Sequence, residues 1–282
     1  MPSRLIRTAA LGAAAALAAA TVTACGTSAA ADRSTSAGPG ATTPSAPAGG
    51  HAPRTPHWSY EGAEGPEHWA TLSEDFATCG KGRAQSPIDL DADLAVETDA
   101  PVTVHYGRVT AELVNNGHTV QATVSPGSGS GIVVDGTTYQ LRQFHFHLPS
   151  EHTEDGEHAA MEMHFVHEDD KGGLAVLGVL MRAGRGHSAF TDLWQHLPAE
   201  EGGRSRLTRP LDLTRFLPGD RDQYRYEGSL TTPPCTEGVK WTVLEDQVGV
   251  TPRQVAAYRE LFPRSNRPVR PRNDREVGHV HR

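Results

Sequence analysis

Six of the chain's 15 histidines crowd between His145 and His167. In Gln143-Phe144-His145-Phe146-His147, polar residues alternate with aromatic ones, the period of a strand with one face turned to a core. Residues two apart on a strand lie about 7 Å apart on the same face, so His145 and His147 project together and can share one ion. His164 follows in Met161-Glu162-Met163-His164-Phe165, with the same alternation. If the two strands fold back on each other around Asp155-Gly156, His164 closes a third corner. Three neutral imidazoles with an open fourth position describe a catalytic zinc (Zn2+) site, whereas a structural site would be closed by four ligands. Gln143 and Glu162 lie on the ligand faces, where each can take the outer N–H of a ligand ring and fix its tautomer.

A lone His-x-His pair is often only an exposed polar face. The third histidine and the two polar partners favour an ion without settling it. His145-x-His147-x-x-x-Glu151 also matches the first half of a cupin metal motif, which would make a dioxygenase or a sugar-binding barrel. That motif needs glycine seven residues after the glutamate, where His158 stands, and a later Pro-x-Gly-x-x-His, which the chain lacks.

The elements that must position these residues are mostly strands. Period-two alternation recurs at Val102–Tyr106, Val109–Val114, His118–Val124, Thr138–His147, Ala159–His167, Ala175–Met181 and Val239–Leu244. Asn115-Asn116-Gly117, Pro126-Gly127-Ser128-Gly129, Asp135-Gly136 and Asp155-Gly156 supply the turns between them. Thr251-Pro252 with Gln254 predicts a capped helix running to about Phe262, and a short helix is expected over Ser188–His196. Walker loops, dinucleotide fingerprints, Gly-x-Ser-x-Gly elbows and strand–helix alternation are all missing, which argues against a doubly wound fold. The expected fold is mainly β with short helices, in a single domain over residues 57–282.

Composition bounds the partners. Lys plus Arg total 26 against 34 Asp plus Glu, a formal charge of −8, which argues against nucleic-acid binding. Every Trp, Tyr and Phe lies at or after Trp58, so residues 1–57 can bury little. Arg4 and Arg7, an Ala/Leu run and Val22-Thr23-Ala24-Cys25 read as a secretory leader over residues 1–24, with Cys25 in a lipobox-like position for lipidation. Residues 25–56, rich in Ala, Ser, Thr, Gly and Pro, read as a flexible tether from that anchor. The chain is expected outside the cytoplasm, lipid-anchored at the outer face of the cell membrane or secreted, touching membrane only through the lipid.

The sequence resembles the alpha class of carbonic anhydrases. The resemblance rests on an ordered set of motifs: His57-Trp58-Ser59-Tyr60, Gly65-Pro66-Glu67-His68-Trp69, Gln85-Ser86-Pro87-Ile88, Asn115-Asn116-Gly117-His118, Gln143–His147, Ser150-Glu151-His152-Thr153, Met161–His167, Leu230-Thr231-Thr232-Pro233-Pro234, Trp241 and Arg267-Pro268. The set covers about residues 57–275, and the short link from His147 to His164 is similar to the bacterial branch. The resemblance implies a large, twisted, mostly antiparallel sheet with zinc at the bottom of a conical cleft. It also implies reversible hydration of CO2 to bicarbonate and a proton, by attack of zinc-bound hydroxide. His145, His147 and His164 would be the ligands. Thr231 would accept from the hydroxide and donate to Glu151, with Thr232 beside the bicarbonate. Val166, Val176, Leu230 and Trp241 would wall the CO2 site. His118 would shuttle protons through waters held by Tyr60, Asn116 and Gln121. Ser86-Pro87 and Pro233-Pro234 would be cis, and Ser265, where the family often has Asn, would serve through its backbone carbonyl, which any residue can supply. Anions and sulfonamides would inhibit. A non-catalytic carbonic-anhydrase-like binding module would be expected to have lost a zinc histidine, and none is lost here. Cys79 and Cys235, the remaining cysteines of the folded domain on an oxidising route, are expected to pair.

Overall fold

β-Branched and aromatic residues at every second position let long strands bury one face while keeping polar chemistry on the other. The computed structural model describes residues 56–281. The expected leader, the Cys25 anchor and, but for Pro56, the tether lie outside the described residues. Twelve strands form the main sheet. They are β1 (Val96–Glu97), β2 (Thr103–His105), β3 (Ala111–Asn115), β4 (Val120–Val124), β5 (Gly131–Val134), β6 (Thr137–His147), β7 (Met161–Glu168), β8 (Leu174–Ala183), β9 (Arg204–Arg206), β10 (Gln223–Ser229), β11 (Glu237–Val250) and β12 (Gly278–Val280). Their spatial order is β9-β3-β4-β6-β7-β8-β11-β10-β12-β1, with β5 joining β2 to β6. The β8–β11 and β12–β1 pairs are parallel and the other ladders antiparallel. The helices are short: α1 (Trp69–Leu72), α2 (Thr78–Lys81), α3 (Ala189–Trp194) and α4 (Pro252–Leu261).

The alternation in β6 and β7 splits the sheet into two chemistries. Phe144, Phe146, Met161, Met163 and Phe165 are buried in one apolar cluster with Leu113, Phe190, Leu193 and Tyr258. Burying each such side chain stabilises by roughly 1.5–3 kcal/mol. The opposite face carries His145, His147, Glu162 and His164. It adjoins a second cluster that includes Ile88, Val176, Leu180, Tyr226, Trp241 and Val243. Helix α4 has the expected capping box: Thr251 Oγ1 accepts from Gln254 N at 3.1 Å, and Gln254 Oε1 accepts from Thr251 N at 2.9 Å. Its Tyr258 hydroxyl donates to the Phe146 carbonyl at 3.1 Å, which fixes the helix against the histidine strand.

Three details differ from the sequence reading. Val109–Val114 is two strands, because Thr110 interrupts between Arg108–Val109 and β3. The run expected at Val239–Leu244 extends over the whole of β11, whose neighbour β8 offers a long parallel edge. His118 does not begin a strand: Asn116 Oδ1 accepts from the backbone N–H of His118 at 3.0 Å and of Thr119 at 2.9 Å, with Gly117 at φ +84, so the chain turns there and β4 starts at Val120. Ser86-Pro87 and Pro233-Pro234 are cis as expected, and Leu148-Pro149 is a third cis bond that the sequence reading did not anticipate. Cys79 and Cys235 form a disulfide, 156 residues apart in sequence.

Candidate metal centre

The antiparallel ladder of β6 and β7 sets His164 opposite His145 and Glu162 opposite His147. This brings three imidazoles together, with ring centroids 4.9 Å (His145–His147), 5.3 Å (His145–His164) and 4.5 Å (His147–His164) apart. One ring nitrogen from each lies within 4.8 Å of the others.

Hydrogen bonds decide which nitrogens those are. Ser265 O, 2.6 Å from His147 Nδ1, can only accept, so Nδ1 carries the proton and Nε2 keeps its lone pair. Gln143 Oε1 lies 2.8 Å from His145 Nδ1, and Glu162 Oε1 lies 2.8 Å from His164 Nε2, with the same consequence. The free lone pairs are therefore on His145 Nε2, His147 Nε2 and His164 Nδ1. His147 Nε2 is fully buried with no hydrogen-bond partner, an atom whose lone pair is left for an ion. Burial lowers all three rings, His147 to about 4 and His145 well below the usual range, which keeps them in the neutral form that ligates. The donor set and this orphaned nitrogen fit zinc.

Two buried carboxylates stand behind the rings. Glu162 Oε2 accepts from the backbone N–H of Glu151 and of His152, both at 2.9 Å, while Oε1 takes His164 and the Nδ1 of His152. Burial alone would raise Glu162, but His152 and His164, by charge and by hydrogen bond, hold it well below the usual carboxylate range. Glu151 Oε1 accepts from Arg267 N at 2.8 Å. Its Oε2 faces His147 Nε2 at 3.4 Å and His164 Nδ1 at 3.8 Å, with no hydrogen bond of ordinary geometry. Burial pushes Glu151 up to about 7, against the pull of His164, the Thr231 hydroxyl and the Arg267 N–H.

A family model described as eukaryotic-type carbonic anhydrase matches residues 64–281. The chain belongs to the eukaryotic-type, or alpha, carbonic anhydrase family. It is 42% identical over 222 residues to a carbonic anhydrase of Klebsiella pneumoniae, an alignment covering 78% of this chain and 90% of that one. Among solved structures it is similar to the Thermovibrio ammonificans alpha-carbonic anhydrase in complex with the inhibitor sulfanilamide. That match has 44% identity and a TM-score of 0.77, and covers 80% of this chain and 100% of that one. It is also similar to the Photobacterium profundum alpha-carbonic anhydrase, with 40% identity, a TM-score of 0.73, and coverage of 79% and 100%.

In this carbonic anhydrase the four residues expected to wall the substrate meet in one apolar cluster: Val176 and Trp241 buried, Val166 and Leu230 packed against them. Val166 pairs with Val176 and Val176 with Trp241 across β7, β8 and β11, and the Trp241 ring lies 4.9 Å from that of His164. Thr231 is buried and Thr232 half-buried in the loop that follows β10. His118 is half-buried and stacked on Trp58, with ring centroids 3.7 Å apart and planes 9° apart, and the Tyr60 ring is 6.5 Å away. Burial, then His57, lower its pKa, and Glu201 opposes them. The Asn116 oxygen is taken up by the turn that carries His118. Thr123 pairs with Gln143, so Gln121, two residues along, shares the face of His145.

Two residues quoted in the sequence motifs without a role prove to hold the site. Arg267 is buried, donates from Nη1 to Ser86 O and from Nη2 to Cys79 O, both at 2.8 Å, and lies over the Trp69 ring. His152 links Glu162 to the Tyr226 hydroxyl, 2.7 Å from its Nε2. Spacing alone does not separate buried His152 from exposed His158.

Proposed function

We propose that this chain hydrates CO2 reversibly at a zinc ion held by His145 Nε2, His147 Nε2 and His164 Nδ1. The observation that carries this reading is the convergence of three lone pairs within 4.8 Å, each left free because the ring's other nitrogen is held by an acceptor. When bound, zinc lowers the pKa of its water to about 7 and so supplies a nucleophile at neutral pH, a value for which carbonic anhydrases are themselves the reference case. The protein's own part is to orient and to carry protons. The charge of a bound zinc would favour the ionised form of Glu151 over the neutral form that burial favours, and ionised Glu151 only accepts, so it draws the Thr231 proton to itself and leaves the Thr231 oxygen as acceptor toward the reacting centre. Val166, Val176, Leu230 and Trp241 give CO2, which has no charge to hydrate, an apolar place to wait, while Thr232 and the Thr231 N–H meet the product bicarbonate. The net positive charge of a zinc centre with three neutral ligands also favours anions and deprotonated sulfonamides, in keeping with the relative solved with sulfanilamide. The Cys79–Cys235 bond fits an exported chain, and a leader over residues 1–24 with Cys25 lipidated and residues 25–56 as tether would leave the catalytic domain outside the cytoplasm.

Glu151→Gln is expected to keep its zinc but lower kcat/KM for CO2 hydration roughly 10- to 100-fold, the usual cost of losing an outer partner. An amide can donate to Thr231 and reverse its hydroxyl. Equal turnover in the two proteins would make Glu151 a structural carboxylate only.

His118 is the proposed proton carrier, since an imidazole both accepts and releases protons near neutral pH. His118→Ala is expected to lower kcat in dilute buffer by up to about a hundredfold, leave kcat/KM nearly intact, and recover when imidazole is added. A parallel loss in both parameters without rescue, or no loss in dilute buffer, would remove the role.

A further inference from the structure

A second group of imidazoles and carboxylates gathers around β12, four strands from β7 in the sheet, about 19 Å across it by strand spacing. In Gly278-His279-Val280-His281 the two histidines are two apart on extended chain, and their ring centroids are 4.2 Å apart. β12 pairs with β1 so that His279 stands opposite Glu97. His279 is buried and stacked on Tyr224 at 4.5 Å, so its ring is held in place.

The hydrogen bonds sort the nitrogens as they do at the triad. His279 Nε2 lies 2.9 Å from Glu245 Oε2, and His281 Nδ1 lies 2.9 Å from Asp222 Oδ2. A carboxylate accepts, so each ring in its neutral form spends its N–H there and turns the other nitrogen's lone pair toward Glu97; the Asp222 hydrogen bond and the Glu97 charge raise the His281 pKa, so at that ring an ion must displace a proton. Those other nitrogens both face Glu97 Oε1: His279 Nδ1 at 3.8 Å and His281 Nε2 at 3.3 Å. Glu97, His279 and His281 offer ligand atoms that all lie within 4.8 Å of one another. Carboxylates on the outer nitrogens of ligating histidines are the usual support of a metal site, and three carboxylates beside the two rings place negative charge where a cation would sit.

We propose that Glu97, His279 and His281 form a second metal site, with Glu245 and Asp222 orienting the rings. Two imidazoles and one carboxylate suit Zn2+ or a similar borderline ion rather than Ca2+ or Mg2+, which take oxygen ligands. Glu97 and His281 are exposed, so the ion would keep water on its outer side. Its effect would be to tie β12 to β1 at the edge of the sheet.

The test is calorimetric titration of Zn2+ into protein that carries no affinity tag and already holds one zinc per chain. One further ion per chain is expected to bind, with a rise in Tm. Glu97→Gln and His281→Ala, both at exposed positions, should weaken that binding at least about tenfold, and Asp222→Asn by roughly tenfold, while CO2 hydration stays unchanged in all three. A protein that takes up no second ion, or one whose second ion binds equally well in Glu97→Gln and His281→Ala, overturns the proposal. Failure here is separable from failure at the triad, because His281→Ala empties only the second site and His147→Ala only the first.

Discussion

Purified His147→Ala is expected to fold, to retain less than about a tenth of a zinc per chain, and to lose CO2 hydration by roughly 10³-fold or more, since the metal supplies the nucleophile. The His147 ring is buried and held at its outer nitrogen. Its Nδ1 is fixed 2.6 Å from Ser265 O, and Ser265 N donates to Leu148 O at 2.8 Å, so the ring and the chain that follows it are set by the same residue. Its Nε2 is buried without a partner, so the alanine removes one of the three lone pairs that converge at the site. Metal content and hydration rate measured on the same preparation check this. Full zinc with full activity would show that the ion sits elsewhere.

Replacing both Cys79 and Cys235 with alanine is expected to cost up to about 5 kcal/mol, the entropy of leaving a loop of this length open in the unfolded chain. The loop spans 156 residues of sequence and contains all three triad histidines. Activity should fall too. The carbonyl of Cys79 accepts from Arg267 Nη2, whose backbone N–H holds Glu151 Oε1, and the carbonyl of Cys235 accepts from Gln85 Nε2. The bond thus anchors the Thr231 loop and the Arg267 segment to α2. Urea unfolding of the oxidised parent and the double variant measures the effect. A difference under about 1 kcal/mol would mean that this region is held by its packing around Trp69 and Phe76 alone.

Much of this is readable because period-two alternation in Gln143–His147 and Met161–Phe165 admits few arrangements: the aromatics must face a core, and the histidines then meet once the two strands pair. The Thr251-x-x-Gln254 capping box was equally local. What stayed illegible was long-range. Nothing near Arg267 in sequence says that it will reach Ser86 and Cys79, and nothing in His152 says that Tyr226 will come to meet it. The hydrophobic pattern that begins beside His118 predicts a strand start there, whereas the Asn116 side chain captures two backbone N–H groups and turns the chain first. The cluster around β12 is illegible in sequence because its carboxylates come from three separate places along the chain.

The most direct measurement is stopped-flow CO2 hydration on one preparation as isolated, after a chelator has removed its metal, and after one equivalent of Zn2+ has been returned. If His145, His147 and His164 hold the working ion, the rate falls to the buffer background on stripping and returns in proportion to the zinc taken up. A stripped protein that hydrates CO2 at its original rate, or a fully reloaded one that does not hydrate it, would contradict the zinc-dependent reaction placed at these three histidines.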